Sequence, residues 1–345
     1  MGSAARVCII MPFLNEAEHL PAVLASLEAQ SYDRGRLFLV AVDNGSTDGG
    51  GRIVEAWLRD GPVAGRLLSS EVRSIPHALN HAIGCVGDDD YVVRIDAHTI
   101  YSPDYVETIM SAFDRLGPDV WCVGGAPAIA PTTEFGKALH AALFTNPMGL
   151  GPADFRSSDA VRPVRSVYLG AWRPGVLARV GGYDPRWPAN EDAQLAERIR
   201  LAGGDVYRIP ARSWKIITRG AGAAVVQWTR YGFWRAQTFR HYPAAIRARH
   251  ITPPIALLSA LALLASPARL ALVPLYLAYA AATVALRARS QRPLVTLATL
   301  VYFPLLHSGY ALGLLTGAVV WSIPRESHDA GRAARLADAG PLEIA

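Results

Sequence analysis

The stretch Val92–His98, V-V-R-I-D-A-H, decides the fold. Its first half is an apolar, β-branched run of strand length, and it ends on a carboxylate and an imidazole two residues apart. It reads as a strand delivering a polar pair to a loop. In a parallel α/β sheet, ligands sit beyond the carboxyl ends of the strands, so Asp96 and His98 are where chemistry is expected. If strand geometry persists, alternation puts both on one face, close enough to share a divalent cation or a diphosphate. The spacing also fits a capped turn leading to a helix at Ser102 and Pro103. Asp88, Asp89 and Asp90 precede the strand and read as a solvated turn on the opposite edge of the sheet.

Upstream, Arg6–Met11 is a strand and Pro12–Glu16 (P-F-L-N-E) a loop entering a helix, in which Leu20, Val23, Leu24 and Leu27 recur at helical spacing. A second strand, Leu37–Val42, ends at Asp43. The following N-G-S-T-D-G-G offers Ser46 or Thr47 as the cap of a helix carrying Ile53, Val54 and Trp57. Its glycines follow the second strand, not the first, which argues against a dinucleotide loop. A third strand near Arg66–Leu68 and a helix over Ile75–Ile83 complete a β-α-β-α-β-α-β alternation. That pattern predicts a doubly wound, mostly parallel α/β sheet. His77 and His81 stand at i, i+4, but without a nearby third ligand they read as an exposed helix face.

The 345 residues are 51% hydrophobic and 18% charged, enough for a large core and more than one unit. A mean hydropathy of +0.18 is high for a soluble enzyme, and the excess accumulates after Ile251. The formal charge is +5, and with Lys137 and Lys215 the only lysines the positive charge is almost all arginine. Arginine suits phosphates and anionic lipid head groups alike. Cys8, Cys85 and Cys122 lie far apart and read as buried, reduced thiols in a cytosolic domain. The apolar run Val7–Leu14 is broken by Pro12 and reads as a strand, not a signal peptide.

Further motifs follow in order. Trp121–Ala130 reads as a strand and turn, Thr132–Leu143 as a helix, and Asn146–Arg165 as a long loop covering a substrate. Arg165 and Arg173 flank V-Y-L-G-A-W and suit either phosphates or structural bonds. Gly181-Gly182-Tyr183-Asp184 precedes Asn190-Glu191-Asp192, which opens a helix. A carboxylate at a helix amino terminus stays ionised, as a general base must, though capping favours the same position.

P-F-L-N-E, V-D-N-G-S-T-D, D-A-H, G-G-Y-D and N-E-D together resemble, in type and order, the inverting family 2 glycosyltransferases of GT-A fold. D-A-H in place of D-x-D, Y-L-G-A-W-R (Tyr168–Arg173) and the apolar carboxy-terminal region look most like the succinoglycan-type exopolysaccharide glucosyltransferases. The resemblance implies that Pro12 and Glu16 line the nucleotide pocket, Asp43 holds uracil, Asp96 approaches ribose and diphosphate, and His98 holds the metal with Asp96. It implies Asp192 as the base, with Glu191 beside it. An imidazole among oxygen ligands makes Mn²⁺ at least as suitable as Mg²⁺.

From Gln227 to Pro243, aromatics interleave with Arg230, Arg235 and Arg240. Trp228, Tyr231 and Trp234 recur at i, i+3, which suits a helix in the membrane interface with its arginines toward head groups; the apolar block downstream argues against a nucleic-acid surface. Gln227, Arg230 and Tyr231 resemble the Q-x-x-R-W motif of processive synthases, with Tyr231 in the aromatic place, and are candidate acceptor or diphosphate ligands. Ile255–Leu286, broken at Ser266 and Pro267, reads as a hairpin of short spans and Leu294–Trp321 as a third. Gly309, Gly313 and Gly317 allow close approach of helices or a lipid chain.

The expected organisation is a glycosyltransferase domain over 1–226, an interfacial segment over 227–250, about three transmembrane helices over 251–322, and a polar tail over 323–345. The expected enzyme moves a sugar, glucose from UDP-glucose, onto a polyprenyl-diphosphate-linked saccharide at the cytosolic face of the membrane. Transfer to a polyprenyl phosphate or glycolipid is the alternative within the class. A catalytically silent nucleotide-sugar-binding scaffold is the alternative outside it.

Overall fold

A computed structural model describes residues 5–146, 160–286 and 292–322. The expected substrate-covering loop falls largely, and the polar tail wholly, outside these residues.

The amino-terminal half is the predicted alternation. Strands β1 (Val7–Phe13), β2 (Leu37–Asp43), β3 (Ala64–Ser69) and β4 (Tyr91–Arg94) pair in parallel in the order β3-β2-β1-β4. Helices α1 (Leu20–Glu28), α2 (Gly50–Asp60) and α3 (Ile75–Ile83) are the crossovers. Both faces of β1 are covered, so Val7 to Met11 are buried in succession. Val7, Ile9 and Met11 pack in one core with α1 and α4 (Tyr105–Leu116), while Cys8 and Ile10 pack in another with α3.

The second half departs from pure parallel pairing. After β5 (Thr99–Tyr101) come β6 (Val120–Ile129), α5 (Phe135–Thr145), β7 (Arg162–Pro163), β8 (Ala171–Trp172), the short α6 (Val176–Arg179), α7 (Glu191–Leu201) and β9 (Asp205–Lys215). β8 wedges antiparallel between β4 and β6, and β9 runs parallel to β6 and antiparallel to β5 and β7. This brings Tyr168–Trp172 alongside β4, the strand that leads to Asp96.

Four helices follow: α8 (Ala221–His241), α9 (Ala248–Leu264), α10 (Leu272–Ala285) and α11 (Pro293–Ser322). Two segments, Pro267–Ala285 and Pro293–Ser322, are long and apolar enough to cross a membrane, and α9 is a shorter apolar helix. A third core joins Leu139 and Leu143 of α5, Trp228 of α8, and Val295, Phe303 and Leu306 of α11.

Several local readings are corrected. Asp88 and Asp89 are exposed, but Asp90 is buried, accepting from the Gly87 amide at 2.9 Å and pairing with Arg6 at 3.3 Å. Neither Ser46 nor Thr47 caps α2; Gly49 stands at its N-cap, and Asp48 accepts from the Gly50 amide. Arg173 donates to the carbonyls of Phe113, Gly117 and Val120, and Arg165 forms a two-pronged pair with Glu197. Both arginines tie elements of the fold together.

Candidate active site

Two loops at the carboxyl ends of β1 and β2 are laced to one another. Asn15, held at a left-handed φ of 55°, donates its amide to Ser46 Oγ (3.0 Å), and its side chain accepts from the Thr47 amide (2.8 Å). Asp48 accepts from the Ala17 amide at 2.7 Å. Asp43 Oδ1 accepts from the Ser46 amide at 2.7 Å, a turn that fixes its carboxylate at the strand end. Pro12, opposite Val42 in the register, lies one pleat from this pair of loops. Pro12, Glu16 and Asp43 thus lie at the same edge of the sheet.

Asp96 and His98 leave β4 on the same edge. The Asp96 amide donates to the Tyr101 phenol oxygen at 2.9 Å, and Tyr168 donates its hydroxyl to Asp96 Oδ2 at 3.2 Å. Burial works to raise the Asp96 carboxyl, but Arg94 and His98 outweigh it and hold it below the usual carboxylate range. His98 Nδ1 faces Glu16 Oε1 at 3.1 Å. With Nδ1 turned to Glu16, Nε2 is the ring nitrogen left to meet a cation, and a carboxylate on the far nitrogen is common around metal-binding histidines. Among the described residues, no three His, Cys, Asp or Glu side chains cluster as a full ligand set. Carboxylate and imidazole nevertheless fit a cation bound by few protein groups and completed by substrate phosphates and water.

Arg94 was missed from sequence, although it sits inside the opening motif. Its side chain is 5% exposed, and its guanidinium reaches Asp192 Oδ1 at 2.5 Å, Glu191 Oε1 at 3.3 Å and Asp96 Oδ1 at 3.7 Å. Three carboxylates therefore share one buried cation. Burial is the largest influence on Asp192, and Glu191 and Asp96 add to it; against the pull of Arg94 the carboxyl is pushed up to about 7. Its side chain keeps 30% of its surface open, enough to meet a substrate. Tyr183 also donates to Asp192 at 3.1 Å, and burial raises this phenol well above its ordinary value, so it remains a donor. Asn80 clamps Tyr183 by donating to its carbonyl and accepting from its amide, both at 2.7 Å. Gly182, at φ 62°, leaves the space: a Cβ there would lie 2.7 Å from Asn80 Oδ1.

The N-E-D turn is seated on α8. Asn190, left-handed at φ 62°, donates to the Tyr231 carbonyl at 3.1 Å and accepts from Arg235 at 2.7 Å, while Arg230 donates to the Pro188 carbonyl at 2.9 Å. Gln227 donates to the Tyr231 hydroxyl at 2.8 Å. Arg230 and Arg235 thus bind the turn that presents Asp192, where head groups had been expected, and Trp228 is buried. The structure brings Arg94, Asp96, Glu191 and Asp192 into one cluster, with Glu16 and His98 on the Asp96 side; Gln227, Arg230 and Tyr231 lie behind the turn.

Residues 8–178 match the sequence model of glycosyl transferase family 2. This segment is a family 2 glycosyltransferase domain. The glycosyltransferase is 29% identical over 247 residues to the succinoglycan biosynthesis protein ExoA of Rhizobium meliloti (strain 1021), covering 71% of this chain and 73% of that one. In fold it resembles the mannosyltransferase PcManGT from Pyrobaculum calidifontis, solved with GDP-Man and Mn2+, with a TM-score of 0.65, 19% identity, and coverage of 94% and 89% of the two chains. Residues 1–349 of S. aureus TarS give a TM-score of 0.50 at 14% identity over 99% and 94%. The sheet of this glycosyltransferase is therefore of the GT-A kind, mixed and mostly parallel.

Proposed function

We propose that this glycosyltransferase transfers glucose from UDP-glucose to a polyprenyl-diphosphate-linked saccharide at a membrane surface, in exopolysaccharide synthesis. The observation that carries the reading is Asp192, partly exposed and held beside Asp96 by a shared arginine. Asp192 takes the proton of the acceptor hydroxyl as that oxygen bonds to the anomeric carbon. The bond from that carbon to the diphosphate oxygen breaks, its electron pair leaves with the nucleotide, and the configuration inverts in a single displacement. The rim of Pro12, Glu16 and Asp43 receives the nucleotide, with Asp43 reading the uracil N–H. Asp96 and His98 would hold a divalent cation, which supplies charge neutralisation at the diphosphate. ExoA supports the exopolysaccharide role, and the GDP-Man and Mn2+ of PcManGT support a nucleotide-sugar donor with a cation.

The domain organisation follows. The catalytic unit occupies about residues 1–226, and α8 to α11 form the membrane-facing part. Leu258, Leu261 and Leu264 of α9 and Leu270, Val273 and Leu277 at and within α10 are exposed, an apolar surface that a lipid bilayer would cover. Arginines at 247, 249, 287, 289 and 292 flank this hairpin and support a catalytic domain on the cytosolic side by the positive-inside rule. The lipid-linked acceptor follows from the same arrangement, since the turn bearing Asp192 rests on α8. Membranes containing the protein, supplied with a panel of nucleotide sugars and lipid extract, should transfer from UDP-glucose. Transfer confined to another donor, or to a water-soluble acceptor, would overturn that assignment.

A further inference from the structure

We infer that α11 lies in the plane of the membrane beside α8 and does not cross it, so that only the α9–α10 hairpin enters the bilayer. This rests on the membrane reading above and departs from the third span expected from composition. At 1.5 Å per residue, a 30-residue helix is about 45 Å long, more than a crossing requires. Length therefore decides nothing, and the contacts do.

A helix that crosses has ends on opposite faces of about 30 Å of hydrocarbon, and its middle is out of reach of a water-soluble domain. α11 touches the catalytic side throughout. At its start, Arg292 donates to the Thr133 carbonyl at 3.0 Å, and Val295 and Phe303 share a core with Leu139 and Leu143. In its middle, a Cβ on Gly309 would lie 2.6 Å from Thr229 Oγ1, and one on Gly313 2.0 Å from the Thr229 carbonyl. Towards its end, Gly317 meets the Phe233 carbonyl, and the Trp321 ring stands 5.6 Å from Phe233 and 5.4 Å from Trp234. Contact advances in step along both chains, so the two helices run parallel.

Helix α8 is itself bound to the catalytic domain from end to end. His140 contacts the Arg219 carbonyl just before its first turn, Asn190 holds Tyr231 and Arg235 at its middle, and Trp187 and Gln194 bond Thr238 and Tyr242 at its end. Arginines at 230, 235 and 240 keep α8 out of hydrocarbon. A helix laid alongside it over this length therefore stays at the same depth.

The exposed side of α11 shows what covers it. Leu294, Leu297, Val301, Leu305, Leu312 and Val319 are exposed. At 100° per residue they fall in one stripe, opposite Thr299, Phe303, Leu306, Gly313 and Gly317. A single uncharged stripe running the whole length, with protein behind it, suits an in-plane helix dipping its apolar side among acyl chains. The occupant is the cytosolic leaflet, and the exposed faces of α9 and α10 continue the same surface.

The full chain in sealed membrane vesicles tests this. In a Cys85→Ser background, Ser31→Cys on the catalytic domain and Ser322→Cys at the end of α11 are labelled with an impermeant maleimide, and a protease site appended after Ala345 gives a second readout without altering the helix. Both cysteines should label, and the appended site should be cut, from the same side. Labelling of Ser322→Cys, or cleavage of the appended site, only from the side opposite to Ser31→Cys overturns the inference and leaves the anchored enzyme intact. Release of the unmodified protein from vesicles by alkaline carbonate overturns the membrane reading, and this inference with it.

Discussion

Arg94 Nη1 donates to Asp192 Oδ1 at 2.5 Å and lies 3.3 Å from Glu191 Oε1, so the strand that leads to Asp96 also holds the helix terminus that carries Asp192. Removing a buried cation from such a set leaves uncompensated charge, at a cost of about 3–5 kcal/mol. Arg94→Met should unfold at markedly lower temperature. Arg94→Lys keeps a charge but lacks the planar fork, so it should fold and lose transfer by roughly tenfold or more. Thermal unfolding and sugar transfer on the same preparations separate the two effects; wild-type transfer by Arg94→Lys would remove Arg94 from its place.

Asp192→Asn preserves shape and removes basicity. Transfer should fall at least about a hundredfold while UDP-glucose binding, measured by titration, is retained. Glu191→Gln should lose less, because Glu191 shares Arg94 without being its nearest carboxylate. Near wild-type transfer by Asp192→Asn would place the base elsewhere.

The raised Asp192 carboxyl sets two pH dependences. A base must be deprotonated to act, so transfer should rise as pH increases through about 7. For stability the sign is the reverse: a carboxyl at about 7 in the folded chain and 3.8 in the unfolded one binds its proton more tightly when folded. Stability should therefore decline as pH rises between about 4 and 7, and the decline should flatten in Asp192→Asn. Unfolding temperatures of both proteins across that window check it. Parallel curves would mean that Asp192 does not carry the shift.

Metal dependence should follow the Asp96 and His98 pair. Chelation should abolish transfer and Mn²⁺ should restore it, and Mn²⁺ binding in the presence of UDP, followed by electron paramagnetic resonance, should weaken in His98→Ala. Full transfer by chelated enzyme, or unchanged Mn²⁺ binding in His98→Ala, would return D-A-H to a structural turn.

The amino-terminal sheet was legible because β1 and β2 are covered on both faces and so read as apolar runs between helical periods. Asp43, Asp96 and Asp192 were legible because each lies where an element begins or ends. Arg94 was not: an arginine within a strand looks like a break in the apolar run, and its three partners come from 2 to 98 residues away. The signal available was its position on the strand that ends in Asp96, since a buried arginine has to be paired with carboxylates. The two-residue β8 is too short for periodicity, so its antiparallel wedge was invisible. The arginines of α8 were placed toward lipid because composition cannot tell a head group from the backbone carbonyl of Pro188.

Where α8 meets α11, glycines bring main chain against main chain. A Cβ on Gly232 would lie 2.1 Å from the Tyr310 carbonyl, and the neighbouring Tyr231 gives its own carbonyl to Asn190, two residues from Asp192. The Asn190 side chain is the link from that main chain to the turn that presents Asp192. If α11 lies in the leaflet as proposed, lateral pressure on it would reach Asp192 through main chain and one hydrogen bond, which would make the packing of the surrounding lipid a mechanical input to the geometry of sugar transfer.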